Sequence, residues 1–232
     1  MKITEVIKNL FFPPRCASCF KVMGKPVSFC GTCMPEIPFV DGITCDKCGI
    51  SLSANFPAPI CARCNDRKFH FDKNIPLMEH FGKGREVVLN MKYRRPSVIN
   101  DMALLMAKRI ASEEKCFDAV TFVPMTKKDE NEKEIHTTYF LSKRIAKILR
   151  CRHEELLIKV RETKKQKELT EKGRITNVLG AYKVTGDVKD KCILLVDDVF
   201  TTGATMDECA KILKRAGAKE VITASLSIRD RE

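Results

Sequence analysis

Tryptophan is missing from these 232 residues and tyrosine occurs only three times, so aromatic side chains make up just 7% of the chain. A strong stacking surface for unpaired bases is therefore disfavoured, because such surfaces depend on exposed aromatic rings. No apolar run reaches the length that spans a bilayer. No secretory leader is expected either. The stretch Ile3, Val6, Ile7, Leu10, Phe11 has helical spacing, but it contains Glu5, Lys8 and Asn9 and stops at Pro13-Pro14. That is too short and too charged for a signal peptide, and it reads as a short amphipathic helix over residues 1–15 lying on the body. The expected location is the cytoplasm, which weighs against a disulfide framework for the cysteines.

Cysteine itself is abundant, with twelve residues. Eight of them form four Cys-x-x-Cys pairs: Cys16/Cys19, Cys30/Cys33, Cys45/Cys48 and Cys61/Cys64. Each pair offers two thiolates from one turn of backbone, and two pairs complete a tetrahedron. The spacing predicts two zinc ribbons in tandem over 16–66, one using Cys16, Cys19, Cys30 and Cys33 and the other Cys45, Cys48, Cys61 and Cys64. A crossed pairing is the alternative, and an iron–sulfur cluster suits the spacing less well. Cys192 and Cys209 read as core residues, while Cys116 and Cys151 have no partner pattern. The formal charge of +12 counts every thiol as neutral. Two Cys₄ sites, each four thiolates against one Zn²⁺, reduce it to about +8, which still suits a pyrophosphate-bearing ligand or nucleic acid. The ribbons themselves lack a dense alternation of basic and aromatic residues.

Near the C-terminus the run Ile193-Leu-Leu-Val-Asp-Asp-Val-Phe-Thr-Thr-Gly-Ala-Thr205 ends an apolar strand in two carboxylates and a loop of small and hydroxyl residues. A helix follows, with Met206, Cys209, Ala210 and Leu213 at i, i+3, i+4 and i+7 and Gly217 at its C-cap. A small-residue loop feeding a helix N-terminus favours an anion through backbone N–H groups and the helix dipole. Asp197 and Asp198 would repel that anion, so they must serve some other purpose. Accepting hydrogen bonds from ribose hydroxyls, or holding Mg²⁺ through water, would fit.

This segment resembles the loop of type I phosphoribosyltransferases that binds 5-phosphoribosyl-1-pyrophosphate (PRPP). The resemblance implies that Asp197 and Asp198 contact the ribose hydroxyls, and that Thr201, Thr202, Gly203, Ala204 and Thr205 cradle the 5′-phosphate.

Upstream, residues 67–115 read as a linker and the leading helices of the body. They include strand-like Phe69 to Phe81, interrupted by Pro76, then helical spacing at Val87, Val88, Met91 and at Met102, Leu105, Met106, Arg109. Between the two helices stands the basic cluster Met91-Lys-Tyr-Arg-Arg-Pro96. Ala119 to Pro124 reads as a buried strand, and Leu141, Ile145 and Ile148 as one helix face. Strands alternating with helices over 116–232 predict an α/β domain with a parallel sheet. From residue 141 to 174, twelve Lys/Arg stand against five Asp/Glu. Such a run is ordinarily a solvated face or mobile loop, but in a phosphoribosyltransferase it suits a lid that closes over the leaving pyrophosphate.

Taken in order, the Cys-x-x-Cys block, the Lys-Tyr cluster, Val123-Pro124, the pattern Arg161-x-Thr-x-x-Gln166-x-x-Leu169 with Arg174 and Asn177, and the closing loop resemble the competence protein F (ComF) family. These are double zinc ribbon modules followed by a type I phosphoribosyltransferase-like domain. The resemblance spans essentially the whole chain. It implies two structural Zn²⁺, PRPP with Mg²⁺, and a role in natural transformation alongside single-stranded DNA and competence-machinery proteins. Lys127, Lys128, Lys164, Lys165 and Arg174 are the basic residues expected at the pyrophosphate. One segment departs from the family, which carries Arg-Gly-Phe-Asn-Gln where this chain has Lys133, Glu134, Ile135, His136 and Thr137. A Glu facing pyrophosphate and the loss of Gly both disfavour turnover, so ribose-phosphate binding is expected to persist more firmly than catalysis. His136 reads as a surface residue. The alternatives are a catalytically degenerate single-stranded-DNA-binding module, a PRPP-sensing regulator, and an active base phosphoribosyltransferase of nucleotide salvage.

Overall fold

The computed structural model describes residues 13–93, 96–125, 136–163 and 171–229. The helix expected at the N-terminus lies almost wholly outside them. Strands β1 (Lys73–Glu79), β2 (Ala119–Phe122), β3 (Arg152–His153), β6 (Cys192–Phe200) and β7 (Glu220–Ile228) form one sheet. Its order is β1-β7-β6-β2-β3 and every neighbour is parallel. A separate antiparallel pair joins β4 (Leu157–Lys159) to β5 (Tyr182–Val184). The helices are α1 (Ala62–Asp66), α2 (Gly82–Tyr93), α3 (Pro96–Ala111), α4 (Thr137–Leu149), α5 (Glu171–Val178) and α6 (Ala204–Arg215).

Alternation along β6 divides the core in two, as successive side chains of a strand point to opposite faces. Ile193 and Leu195 join the cluster with Met206, Cys209, Ala210 and Leu213 of α6. Leu194 and Val196 join the other, with Met91 of α2, Met102 and Met106 of α3, and Leu141 and Ile145 of α4. Both faces of the central strands are covered, which is why their sequence is continuously apolar rather than alternating. In α4 the buried apolar positions are Leu141, Ile145 and Ala146, whereas Ile148, expected on that face, is exposed. Ala146 carries the stripe at i+5 from Leu141, and the helix turns Ile148 outward.

The segment expected to link the ribbons to the body supplies β1, so residues 73–79 are an edge strand of the main sheet. Pro76 is tolerated there because an edge strand need not donate on both sides. The N-terminal block covers the open side of that edge. Asn74 donates its amide to the Lys47 carbonyl at 2.8 Å, Glu79 to Pro38 at 2.8 Å, and Val40 donates to Leu77 at 3.0 Å. Gly49 lies so close to the strand that a Cβ would stand 2.3 Å from Pro76 Cδ, and its φ of +74° suits glycine. The two ribbons straddle the edge: the first packs into the α2 and α3 face, the second into the α6 face. Edge pairing of the sheet is thereby blocked.

Candidate functional site

The sulfurs gather in two sets of four, Cys16, Cys19, Cys30, Cys33 and Cys45, Cys48, Cys61, Cys64, with all ligand atoms of a set within 4.8 Å of one another. Consecutive pairs thus close each site, and the crossed arrangement is not adopted. Zinc fits both. A tetrahedron with Zn–S bonds of about 2.3 Å has sulfur–sulfur edges of about 3.8 Å. The observed Cys19–Cys30 and Cys48–Cys61 separations are 3.8 and 3.7 Å. Backbone N–H groups of Cys30 and Cys61 point at the sulfurs of Cys16 and Cys45 at 3.4 and 3.3 Å, supporting thiolate charge.

Crowding separates the thiols into easy and hard ones to ionise. Hydrogen bonds led by the Cys33 amide lower Cys30 to about 6, while burial pushes Cys33 up to about 12. In the second set, hydrogen bonds from Cys48 and Cys64 lower Cys45, and the partner bonds raise Cys48 and Cys64. A divalent cation held by the four sulfurs of each set would resolve that conflict by stabilising all four as thiolates.

The carboxylates stand in the C-terminal part of β6, which runs two residues further to Phe200. Asp198 donates its backbone N–H to Asp197 Oδ1 at 2.8 Å, and its own carboxylate is ion-paired with Lys92 of α2. Lys92 belongs to the basic cluster noted in the sequence, where nothing local assigned it a partner. It cancels one of two adjacent negative charges, so the pair presents less repulsion to a phosphate ester. Nearby, His80 at the end of β1 bonds Ser227 Oγ at 2.8 Å. Burial, followed by the charges of Arg229, Lys92 and Arg85, holds it neutral with a pKa lowered to about 4.

Beyond the pair the chain turns through Thr201, Thr202 and Gly203 into α6. Thr202 is buried and its Oγ1 accepts the Ala204 N–H at 3.2 Å. Gly203 has φ of +72°, and a Cβ there would lie 2.4 Å from the Phe200 ring and 3.0 Å from Phe69. No other residue fits that turn. Asp207, in the first turn of α6, takes the Arg67 guanidinium at 3.5 Å and the His70 ring at 3.2 Å. Thr201, Thr202, Gly203, Ala204, Thr205, Asp197 and Asp198 are therefore brought together as one cradle at the C-terminal edge of the sheet.

Lys127, Lys128, Lys164 and Lys165 lie outside the described residues, as do Lys133, Glu134 and Ile135. Arg174 sits on α5, with its side chain outside the description. The basic stretch leaves from β4 and returns to β5, and Arg161 closes its base by donating to the carbonyls of Asn177 and Leu179, both at 2.9 Å. His136 is half-buried rather than a surface residue. It caps α4 by accepting the Tyr139 N–H at 3.2 Å and packs edge-on against Phe122.

Sequence reasoning missed Arg63 and Arg67. Arg63 donates to the Thr201 carbonyl at 3.1 Å, and Arg67 to the Thr202 carbonyl at 2.9 Å. They look like ordinary surface charges until the fold closes over 135 or more residues.

This architecture, a double Cys₄ ribbon on a parallel α/β sheet with a diacid and small-residue loop, defines a zinc-ribbon phosphoribosyltransferase-fold protein. The double zinc ribbon domain matches residues 7–66 and the phosphoribosyl transferase domain residues 136–231. DNA utilization protein YhgH of Salmonella typhi is 25% identical over 184 residues, covering 76% of this chain and 80% of its own. Competence protein F of Haemophilus influenzae is 24% identical over 188 residues, covering 76% and 81%. Competence protein ComFC of Streptococcus pneumoniae is 39% identical over 70 residues, 30% of this chain and 32% of its own. Among solved structures, glutamine PRPP amidotransferase from B. subtilis aligns with a TM-score of 0.41 and 22% identity, over 60% of this chain and 30% of that one. The chain thus pairs a double zinc ribbon with a phosphoribosyl transferase domain, and over most of its length it is similar to DNA utilization and competence F proteins.

Proposed function

We propose that this protein binds PRPP, or a related ribose phosphate, together with Mg²⁺, and acts in the handling of single-stranded DNA during its uptake or utilisation. One observation carries the ligand reading: two carboxylates lie in the C-terminal part of a buried strand, which continues through Phe200 into a glycine-dependent turn at a helix N-terminus. In the complex, backbone N–H groups of residues 201–205 hold the 5′-phosphate, and Asp197 and Asp198 accept hydrogen bonds from the ribose hydroxyls. Lys127, Lys128, Lys164, Lys165 and Arg174 meet the pyrophosphate. Transfer from such a complex breaks the C1–O bond, with pyrophosphate leaving with the electron pair. Positive charge builds on the sugar, and a nitrogen nucleophile then forms the new C1–N bond. Glu134 in the departed loop opposes the approach of pyrophosphate, so binding is expected to exceed turnover.

The DNA reading draws on the names of the relatives and on the net charge of +12. No helix among the described residues is long and apolar enough to cross a membrane, and the proposed site of action is the cytoplasmic side. The ligand test is a thermal-shift and calorimetric titration with PRPP·Mg²⁺. Asp197→Asn with Asp198→Asn is expected to abolish the shift and weaken binding by about 100-fold, the scale of two charge-assisted hydrogen bonds. Unchanged binding by the double variant would displace the acidic pair from the site. For DNA, single-strand affinity should fall steeply with salt, and charge reversal at Lys164, Lys165 and Lys167 should flatten that slope.

A further inference from the structure

We propose that Arg63 and Arg67 are positioning residues for the 5′-phosphate loop, and that Arg63 links the metal of the second ribbon to phosphate affinity. The inference rests on the ribose-phosphate reading above. Arg63 lies between Cys61 and Cys64, and its guanidinium faces two ways. Nη2 is 3.4 Å from Cys48 Sγ, a thiolate of the second metal set, while Nη1 donates to the carbonyls of Thr201 at 3.1 Å and Arg229 at 3.4 Å. The group stacks 5.3 Å over the Phe200 ring. Arg67 donates to the Thr202 carbonyl at 2.9 Å, stacks 4.5 Å over Phe69 and reaches Asp207.

The consequence follows from the planar trans peptide, whose C=O and N–H point in opposite directions. Pinning the Thr201 carbonyl toward Arg63 aims the Thr202 N–H the other way. Pinning the Thr202 carbonyl toward Arg67 does the same for the Gly203 N–H. Among the described residues neither amide donates to a protein acceptor, and these are the donors a phosphate needs. The planar, always-charged fork of arginine is well shaped for this, since it holds a carbonyl and a sulfur, or a carbonyl and a carboxylate, at fixed angles. Without metal, the Cys48 thiolate loses its fixed place and Arg63 loses one of its anchors. Among the described residues the contacts of the first ribbon go instead to α2, through Asn90 and Glu86.

The test uses the full-length zinc-loaded chain and ribose 5-phosphate as probe, read by calorimetry and by amide chemical shifts. In the wild type, the Thr202 and Gly203 amides are expected to move on titration. Arg67→Ala should weaken binding about tenfold and blunt the Gly203 response while the Thr202 response persists. Arg67→Lys, which keeps one donor, should recover most of the affinity. Arg63→Ala should blunt the Thr202 response instead. Cys64→Ser should lower zinc from two ions to one and weaken binding about as much as Arg63→Ala, whereas Cys19→Ser should lose one zinc and weaken binding by about threefold at most. Wild-type affinity and an intact Gly203 response in Arg67→Ala would overturn the positioning role. Equal losses from the two cysteine variants would overturn the link to the metal. A wild-type protein that ignores ribose 5-phosphate would instead overturn the reading of the site itself.

Discussion

The two zinc ribbons share a ligand type and nearly the same spacing, yet they are set into the molecule differently. In the first, Cys16 and Cys33 are buried while Cys19 is exposed; in the second, Cys45, Cys48 and Cys64 are all buried. The first ribbon holds a helix. Asn90 of α2 donates to the carbonyls of Ala17 at 3.0 Å and Ser18 at 2.8 Å, and Ser18 Oγ donates to Glu86 at 2.7 Å. Two residues beyond Asn90 the same helix offers Lys92 to Asp198. The second ribbon holds a strand and a loop, through Asn74 on the Cys48 carbonyl and through Arg63 and Arg67 on the Thr201 and Thr202 carbonyls. Identical coordination chemistry thus serves two mechanical ends. What distinguishes them is which face of the sheet each ribbon covers, not how it binds metal.

The largest expected effect tests whether the second ribbon matters more to stability. Cys64→Ser should lower the melting temperature by about 10 °C, since losing a structural metal costs at least about 3 kcal/mol in a chain this size. Cys19→Ser, at an exposed ligand, should cost about half of that. A metal analysis of the wild type returning two zinc ions is the accompanying check, and equal melting shifts would erase the contrast.

A smaller effect comes from the polar anchors. Asn90→Ala frees the Ala17 and Ser18 carbonyls and should cost about 1–3 kcal/mol. Asn74→Ala removes the bond to the Cys48 carbonyl and leaves Thr223 Oγ1 without the Asn74 Oδ1 acceptor it reaches at 2.9 Å, with a similar cost. Urea titrations should place the two variants within about 1 kcal/mol of each other. A negligible loss at either site would show that apolar packing alone holds that ribbon.

The smallest effect concerns His80, just past the end of β1 beside Ser227. Its pKa is lowered from 6.5 to about 4, chiefly by burial, so the fold favours the neutral ring. The corresponding stability is fully present above pH 6.5 and is lost as pH falls toward 4, where the unfolded chain takes up the proton first. His80→Gln keeps a partner for Ser227 and should flatten the pH dependence of the melting temperature across that window. An unchanged slope would assign it to other groups.

Local patterns in the sequence were enough to determine the metal ligands, the apolar strand leading into Asp197 and Asp198, though it runs on to Phe200, and the helix carrying Met206, Cys209, Ala210 and Leu213. All four of those helix residues are buried, and Gly217 takes a φ of +100° just past its end. These features depend on spacing and periodicity over a dozen residues, where tetrahedral coordination and the pitch of a helix leave few solutions. The edge position of β1, with Pro76 in it, was not legible, because a strand's place in a sheet depends on which partners arrive from elsewhere. Ile148 points outward and His136 caps a helix for the same reason: neighbouring elements decide which side of α4 is covered. Arg63, Arg67 and Lys92 were the least visible of all. Their partners lie 138, 135 and 106 positions away in the chain, and a charge between two cysteines carries no local mark of the carbonyl it will meet. Only closing the second ribbon over the sheet edge brings Arg63 and Arg67 to their carbonyls, and only packing α2 on the sheet brings Lys92 to Asp198.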